Sequence, residues 1–168
     1  SEKERDALIL IEEITLIAQQ HFPDSAYQEA ARILSDAEIA AICAAANYQI
    51  DSVPANHTQQ AVWAFLFAIE TAMRASEIIE MTWDMVHDDY VHLPDTKNGA
   101  ARNVPLLDTA KKLLQLAQGL DPVRVLTVDA DVASTLFRKA RIKAGIMDMT
   151  FHDSRHEATT RIAQLLPI

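Results

Sequence analysis

The stretch Thr71-Ala72-Met73-Arg74-Ala75-Ser76-Glu77-Ile78, followed by Met81-Thr82-Trp83, places an arginine at the junction of two apolar helical runs. Upstream, Ala61 to Ile69 is so apolar that a helix there must be buried nearly all round. Downstream, Ser76 to Thr82 reads as a short second helix. A buried helix ending at this junction delivers the Arg74 guanidinium from the core outward. The bland alternative for Arg74 is an ordinary helix-end ion pair with Glu77.

Further along, Asp95-Thr96-Lys97-Asn98-Gly99-Ala100-Ala101-Arg102-Asn103-Val104-Pro105-Leu106 sets a lysine beside an Asn-Gly turn between strand-like residues, a strong hairpin signal. Val86 to His87, Tyr90 to Leu93 and Arg102 to Leu106 read as three short strands of a small antiparallel sheet, turning at Asp88-Asp89 and Asn98-Gly99. Near the C-terminus, Thr150-Phe151-His152-Asp153-Ser154-Arg155-His156 packs two imidazoles and a guanidinium into what reads as a helix start. Thr150 with Asp153 forms a capping-box pattern, and Ala158, Ile162 and Leu165 follow at helical spacing. On a first turn, unpaired N–H groups and the helix dipole already favour an anion such as phosphate.

The order arginine, hairpin lysine, His-x-x-Arg-His resembles the tyrosine recombinase (phage integrase) family. Its motifs read roughly T-G-x-R-x-S/G-E-[L/I]-x-x-L-x-W, then T-K-[T/N]-x-x-x-R-x-V-P-L, then H-x-L-R-H. The resemblance starts at Arg32-Ile33-Leu34-Ser35-Asp36-Ala37-Glu38-Ile39, which looks like the opening of the family's catalytic domain, and runs to the C-terminus. Ala72 stands where the family usually has glycine and Ser154 where it usually has leucine. In the family a Gly-His box and then a tyrosine nucleophile follow the last motif, whereas this sequence ends at Leu165-Leu166-Pro167-Ile168. Tyr27, Tyr48 and Tyr90 all precede that motif, so none matches the nucleophile. The expectation is a catalytic domain lacking its last segment.

The resemblance implies an α+β fold, mostly α, that carries the small three-stranded sheet. It also implies site-specific recombination of double-stranded DNA through a 3′-phosphotyrosine intermediate, without metal or other cofactor. Arg74 and Arg155 would hold the non-bridging oxygens of the scissile phosphate, a task suited to planar bidentate donors. Lys97 would protonate the departing 5′ oxygen, and His152 would assist proton transfer or orient the phosphate, since imidazole titrates near neutral pH. Glu77 and His156 would support them, the first by positioning a basic partner and the second by structural hydrogen bonding. The intact protein would act as a tetramer on DNA, with this fragment alone a monomer, inactive for cleavage, in the cytoplasm of a bacterial or phage-infected cell.

Two related readings are a type IB topoisomerase-like enzyme and a non-catalytic DNA-binding or regulatory module derived from an integrase. A metal phosphohydrolase is disfavoured. His152 and His156 have a zinc-chelating spacing, but no glutamate lies between them and Arg74 and Lys97 would have no use.

The formal net charge of −9 argues against a DNA-binding surface at first sight. Its distribution softens the objection, because residues 101 onward hold ten Lys and Arg against seven Asp and Glu. They include the run Arg138-Lys139-Ala140-Arg141-Ile142-Lys143, which reads equally as a solvated helix face or a phosphate patch. No apolar run approaches the ~20 residues that cross a bilayer. Cys43 lies within an apolar run and reads as a buried, reduced thiol.

Residues 1–31 read as an N-terminal helix and linker, the helix running from about Asp6 to His21, and residues 32–168 as the catalytic domain. Ser35 with Glu38 caps a helix expected to reach about Asn47. Asp108 and Asp131 are expected to cap two later helices that Gly119 and Gly145 close.

Overall fold

The computed structural model describes residues 34–94 and 100–151, together with Glu2, Arg5, Asp6 and Ile9. The expected helix over residues 6–21 and the Asn98-Gly99 turn lie essentially outside these residues.

The first helix, α1 (Asp36–Ala45), starts at the expected capping box. The Glu38 N–H donates to Ser35 Oγ at 3.1 Å, and the Ser35 N–H donates to Glu38 Oε1 at 3.2 Å. The helix ends slightly before the expected point, with Asn47 in the left-handed region at φ 57°. Asparagine tolerates that conformation better than most residues.

Asn56 then caps α2 (His57–Thr71), accepting from the Gln59 N–H at 2.9 Å. As its composition predicts, every residue from Ala61 to Ile69 is buried. A helix buried on all sides needs neighbours on all sides, and α1, α4 (Asp108–Ala117) and α5 (Ala130–Lys143) pack around it. The α4 helix turns Ala110, Leu113, Leu114 and Ala117 inward, the spacing of a single apolar stripe. Trp63 stacks on Phe67 with centroids 5.0 Å apart and donates its indole N–H to the Leu113 carbonyl at 2.9 Å. Phe65 meets Phe137 of α5 at 4.7 Å.

Buried Gln60 ties α2 to the loop before α5. Its Oε1 accepts from the Thr127 and Val128 N–H groups at 2.9 and 3.0 Å, so these two donors are satisfied inside the core.

After α2 comes a short helix, α3 (Ala75–Ile79), shorter than the Ser76–Thr82 span expected. Chain pairing ends it. The Val125 N–H donates to the Met81 carbonyl at 3.1 Å and the Trp83 N–H to the Val123 carbonyl at 2.9 Å, pulling residues 81–83 into an extended bridge. A 3₁₀ turn, Trp83–Met85, follows.

Strands β1 (Tyr90–Leu93) and β2 (Arg102–Pro105) pair antiparallel, with Tyr90 opposite Pro105 and Leu93 opposite Arg102. The sheet differs from the three strands expected. Among the described residues it has two, and Val86 makes only an isolated bridge to Val91, because the 3₁₀ turn occupies the chain just before it.

Two expected caps are also displaced. Leu107 and Asp129 occupy the cap positions of α4 and α5, while Asp108 and Asp131 lie inside the first turns, where their charge still meets the helix dipole. Gly145 closes α5 at φ 79°, with the Ile146 N–H reaching back to the Arg141 carbonyl at 3.1 Å. No helix of the described residues is long and apolar enough to cross a membrane.

Candidate active site

The site is built on the turn that ends α2. Thr71 is buried and donates its hydroxyl to the Phe67 carbonyl at 2.7 Å, while Ala72 takes the left-handed conformation, φ 58° and ψ 18°. This single reversal lets the chain leave a buried helix and begin another within three residues. Arg74 emerges at the N-cap of α3 with its side chain 33% exposed, poised between core and solvent.

The Glu77 side chain is 6% exposed and gathers three donors. Its Oε2 accepts from the Arg74 backbone N–H at 2.9 Å and from Arg102 Nη2 at 2.8 Å, and its Oε1 accepts from Arg74 Nη1 at 3.3 Å. Burial pushes the Glu77 carboxyl up. The Arg102 hydrogen bond, the Arg74 N–H and the charges of both guanidiniums outweigh burial and hold the carboxyl below its ordinary value. Glu77 thus bridges the Arg74 and Arg102 guanidiniums through its two carboxylate oxygens.

Arg102 is the residue that sequence reasoning passed over. It lies inside the hairpin motif, but its partner is 25 residues back along the chain. The strand alternation that turns Val104 into the core puts Arg102 on the same face, toward Glu77.

A groove of about 450 Å³ lies beside this cluster. Ala75 and Ser76, next to Arg74, border it on one side, and Thr150 and Phe151, next to His152, border it on another. Phe151 is fixed edge-on against Phe65 and Phe137, with centroids 5.7 and 5.3 Å away. Residues from two of the three motifs therefore border a common space. Lys97, His152, Arg155 and His156 themselves lie outside the described residues.

Two of the three tyrosines, Tyr48 and Tyr90, lie within the described residues. Tyr48 is buried and donates its hydroxyl to the Ser52 carbonyl at 3.1 Å. Burial, reinforced by Cys43 and Asp51, pushes its pKa up to about 12. Tyr90 stacks on His87 at the start of β1. Cys43 is buried as expected, and burial raises its thiol to about 11. His57, His87 and His92 are exposed, and His92 Nδ1 lies 2.7 Å from Asn103 Oδ1. Trp83 is half-buried against the core and donates to the Asp121 carbonyl. Among the described residues there is no group of three or more metal-ligating side chains.

In the basic run on α5, Arg138, Lys139 and Lys143 are exposed, whereas Arg141 donates to the Ile146 carbonyl at 2.9 Å and so helps close its own helix.

The described residues form a helical domain with a small antiparallel sheet and an arginine elbow braced by a buried glutamate. The chain belongs to the phage integrase family, whose model matches residues 32–165. It is 38% identical over 103 residues to the shufflon-specific DNA recombinase of Escherichia coli, a match covering 60% of this chain and 27% of that protein. It is 33% identical over 139 residues to a putative integrase/recombinase of Haemophilus influenzae, covering 80% of this chain and 45% of the relative. The chain therefore spans less than half the length of these relatives. The fold matches a crystal structure of a lambda integrase (75–356) dimer bound to a COC′ core site, with a TM-score of 0.59 and 20% identity over 79% of this chain and 50% of that one.

Proposed function

We propose that this chain carries much of the catalytic site of a site-specific DNA recombinase, which cuts and rejoins DNA through a 3′-phosphotyrosine intermediate. The observation that carries the reading is Arg74. It is one-third exposed, braced by a buried carboxylate, and directly precedes Ala75 and Ser76, which border a groove that Thr150 and Phe151 also border. When a tyrosine oxygen attacks phosphorus, charge builds on the non-bridging oxygens. Arg74 and Arg155 hold those oxygens, Lys97 supplies a proton to the leaving 5′ oxygen, and His152 serves proton transfer or phosphate orientation. His156 has a supporting, hydrogen-bonding role.

The nucleophile is none of Tyr27, Tyr48 and Tyr90. Double-stranded DNA is the substrate, as the core site bound by the lambda integrase structure supports. A tetramer on DNA and a cytoplasmic setting, both taken from the family, belong to the same proposal.

The test uses a nicked recombination-site substrate that traps covalent protein–DNA adducts. The full-length gene product should form an adduct, and Arg74→Ala should slow its formation roughly 100- to 1,000-fold, the usual cost of losing one donor to a developing oxyanion. The 168-residue chain alone should form none. An adduct mapped to Tyr27, Tyr48 or Tyr90 would overturn the reading.

A further inference from the structure

We infer that Arg102 is a positioning residue for Arg74. It acts through the shared Glu77 carboxylate and so joins the start of β2 to the arginine elbow. The inference rests on the recombinase reading of Arg74 and adds to it a residue outside the proposed set of Arg74, Lys97, His152 and Arg155.

The geometry is specific. One oxygen, Glu77 Oε2, accepts both the Arg74 backbone N–H and Arg102 Nη2, leaving Oε1 for the Arg74 guanidinium. Arg102 therefore fixes the carboxylate plane, and the carboxylate plane fixes where the Arg74 side chain can lie. The Arg102–Glu77 bond is short and well shielded, at 2.8 Å with the arginine 21% exposed. The Arg74–Glu77 contact is longer, at 3.3 Å, and Arg74 is more exposed, at 33%. The tight bond is the anchor, and the looser one leaves Arg74 free to turn its remaining N–H groups toward a phosphate.

Arg102 opens β2, five positions after Lys97 in sequence. A shift of that strand would pull directly on the carboxylate. The same ion pair thus registers the start of β2 against Arg74, and positioned groups lose much of their effect with displacements of about 1 Å.

The experiment is a double-mutant cycle on cleavage of the nicked substrate by the full-length gene product, with Arg102→Gln, Arg102→Lys and Arg74→Ala. Arg102→Gln should slow cleavage roughly 10- to 100-fold, the usual worth of a hydrogen bond between charged groups. In an Arg74→Ala background the same change should cost less than about 2-fold, because the residue it positions is gone. Arg102→Lys, which keeps the charge without the planar fork, should recover part of the loss. The defect should fall on kcat rather than KM.

A pH profile supplies a reading that a merely structural role would not move. Arg74 from the elbow and Arg102 from β2 are the charges holding Glu77 ionised. Without Arg102 the carboxyl titrates higher, so cleavage by Arg102→Gln should fall away at a higher pH than cleavage by unmutated protein. Full additivity of Arg102→Gln and Arg74→Ala, with an unchanged acid limb, would overturn the inference and leave the recombinase reading standing. No effect of Arg74→Ala on cleavage would overturn both. If Arg102→Gln lowers the thermal midpoint, Arg102→Lys decides. A folded lysine variant as fast as unmutated protein in both backgrounds overturns the positioning role.

Discussion

Ala72 holds the left-handed backbone that aims Arg74, two residues before the guanidinium it directs. A non-glycine residue costs about 1 to 2 kcal/mol there, because its Cβ crowds the following carbonyl. Glycine removes that strain but brings greater freedom to the unfolded chain, which offsets about half of the gain. Ala72→Gly should therefore raise stability by up to about 1 kcal/mol, a rise in thermal midpoint of about 2–4 °C for a chain this size. Ala72→Val should lower the midpoint, since a β-branched residue suits neither the backbone nor the buried site. Calorimetry of the three proteins checks both signs, and a melt unchanged by glycine would mean that the turn carries no strain.

The Glu77 carboxylate predicts a pH-dependent stability difference. Its folded pKa is lowered, so its ionised form contributes stability at and above the unfolded value of about 4.3, and that contribution is lost as pH falls through the lower folded value. Glu77→Gln keeps the shape and removes the charge. The variant should be less stable than unmutated protein by about 1–3 kcal/mol at neutral pH, the range for hydrogen bonds to a charged group. The gap should close progressively below about pH 4.3. Urea denaturation at a series of pH values measures it, and a gap that widens on acidification would contradict the assignment.

Much of this arrangement was legible in the sequence, where the signal was local. The Ser35–Glu38 capping box, the wholly apolar run inside α2 and the bounds of β1 depend on neighbours within a turn or a strand, and all three stand as read. What could not be read depends on distant pairing. α3 is cut short by residues 123–125, and Arg102 finds Glu77 across 25 residues. Gln60, polar within a helix that is otherwise core, is explained by its hydrogen bonds with Thr127 and Val128, more than sixty residues away. The displaced caps have a different cause. Aspartate one or two residues inside a helix start satisfies the dipole as well as a cap does, so the residue type marks the turn without fixing its first position.

Charge predicts how the chain alone should meet DNA. With a formal net charge of −9, and Arg138, Lys139 and Lys143 exposed on α5, duplex binding should be weak and strongly salt-dependent. Removing one side chain that neutralises a phosphate should reduce the slope of log affinity against log salt by about 0.9. Arg138→Gln with Lys139→Gln should therefore flatten the slope by up to about 2 and weaken binding across all sequences alike. Fluorescence titration at several salt concentrations checks this. An unchanged slope would assign these side chains to a solvated face.

The proposed role of Lys97 makes the sharpest chemical prediction. If Lys97 delivers the proton to the 5′-bridging oxygen, Lys97→Ala in the full-length gene product should slow cleavage of normal DNA by roughly 100- to 10,000-fold, the usual contribution of positioned acid catalysis. A substrate with sulfur in place of that bridging oxygen has a leaving group that departs without a proton. Lys97→Ala should cleave it nearly as fast as unmutated protein does. Arg74→Ala should gain no such rescue, because holding the non-bridging oxygens matters whatever leaves, and Arg102→Gln should follow Arg74→Ala because it acts through the same guanidinium. Equal defects for Lys97→Ala on both substrates would mean that Lys97 binds DNA without transferring a proton, and the acid would have to be sought among the other proton-bearing groups of the site, with His152 first.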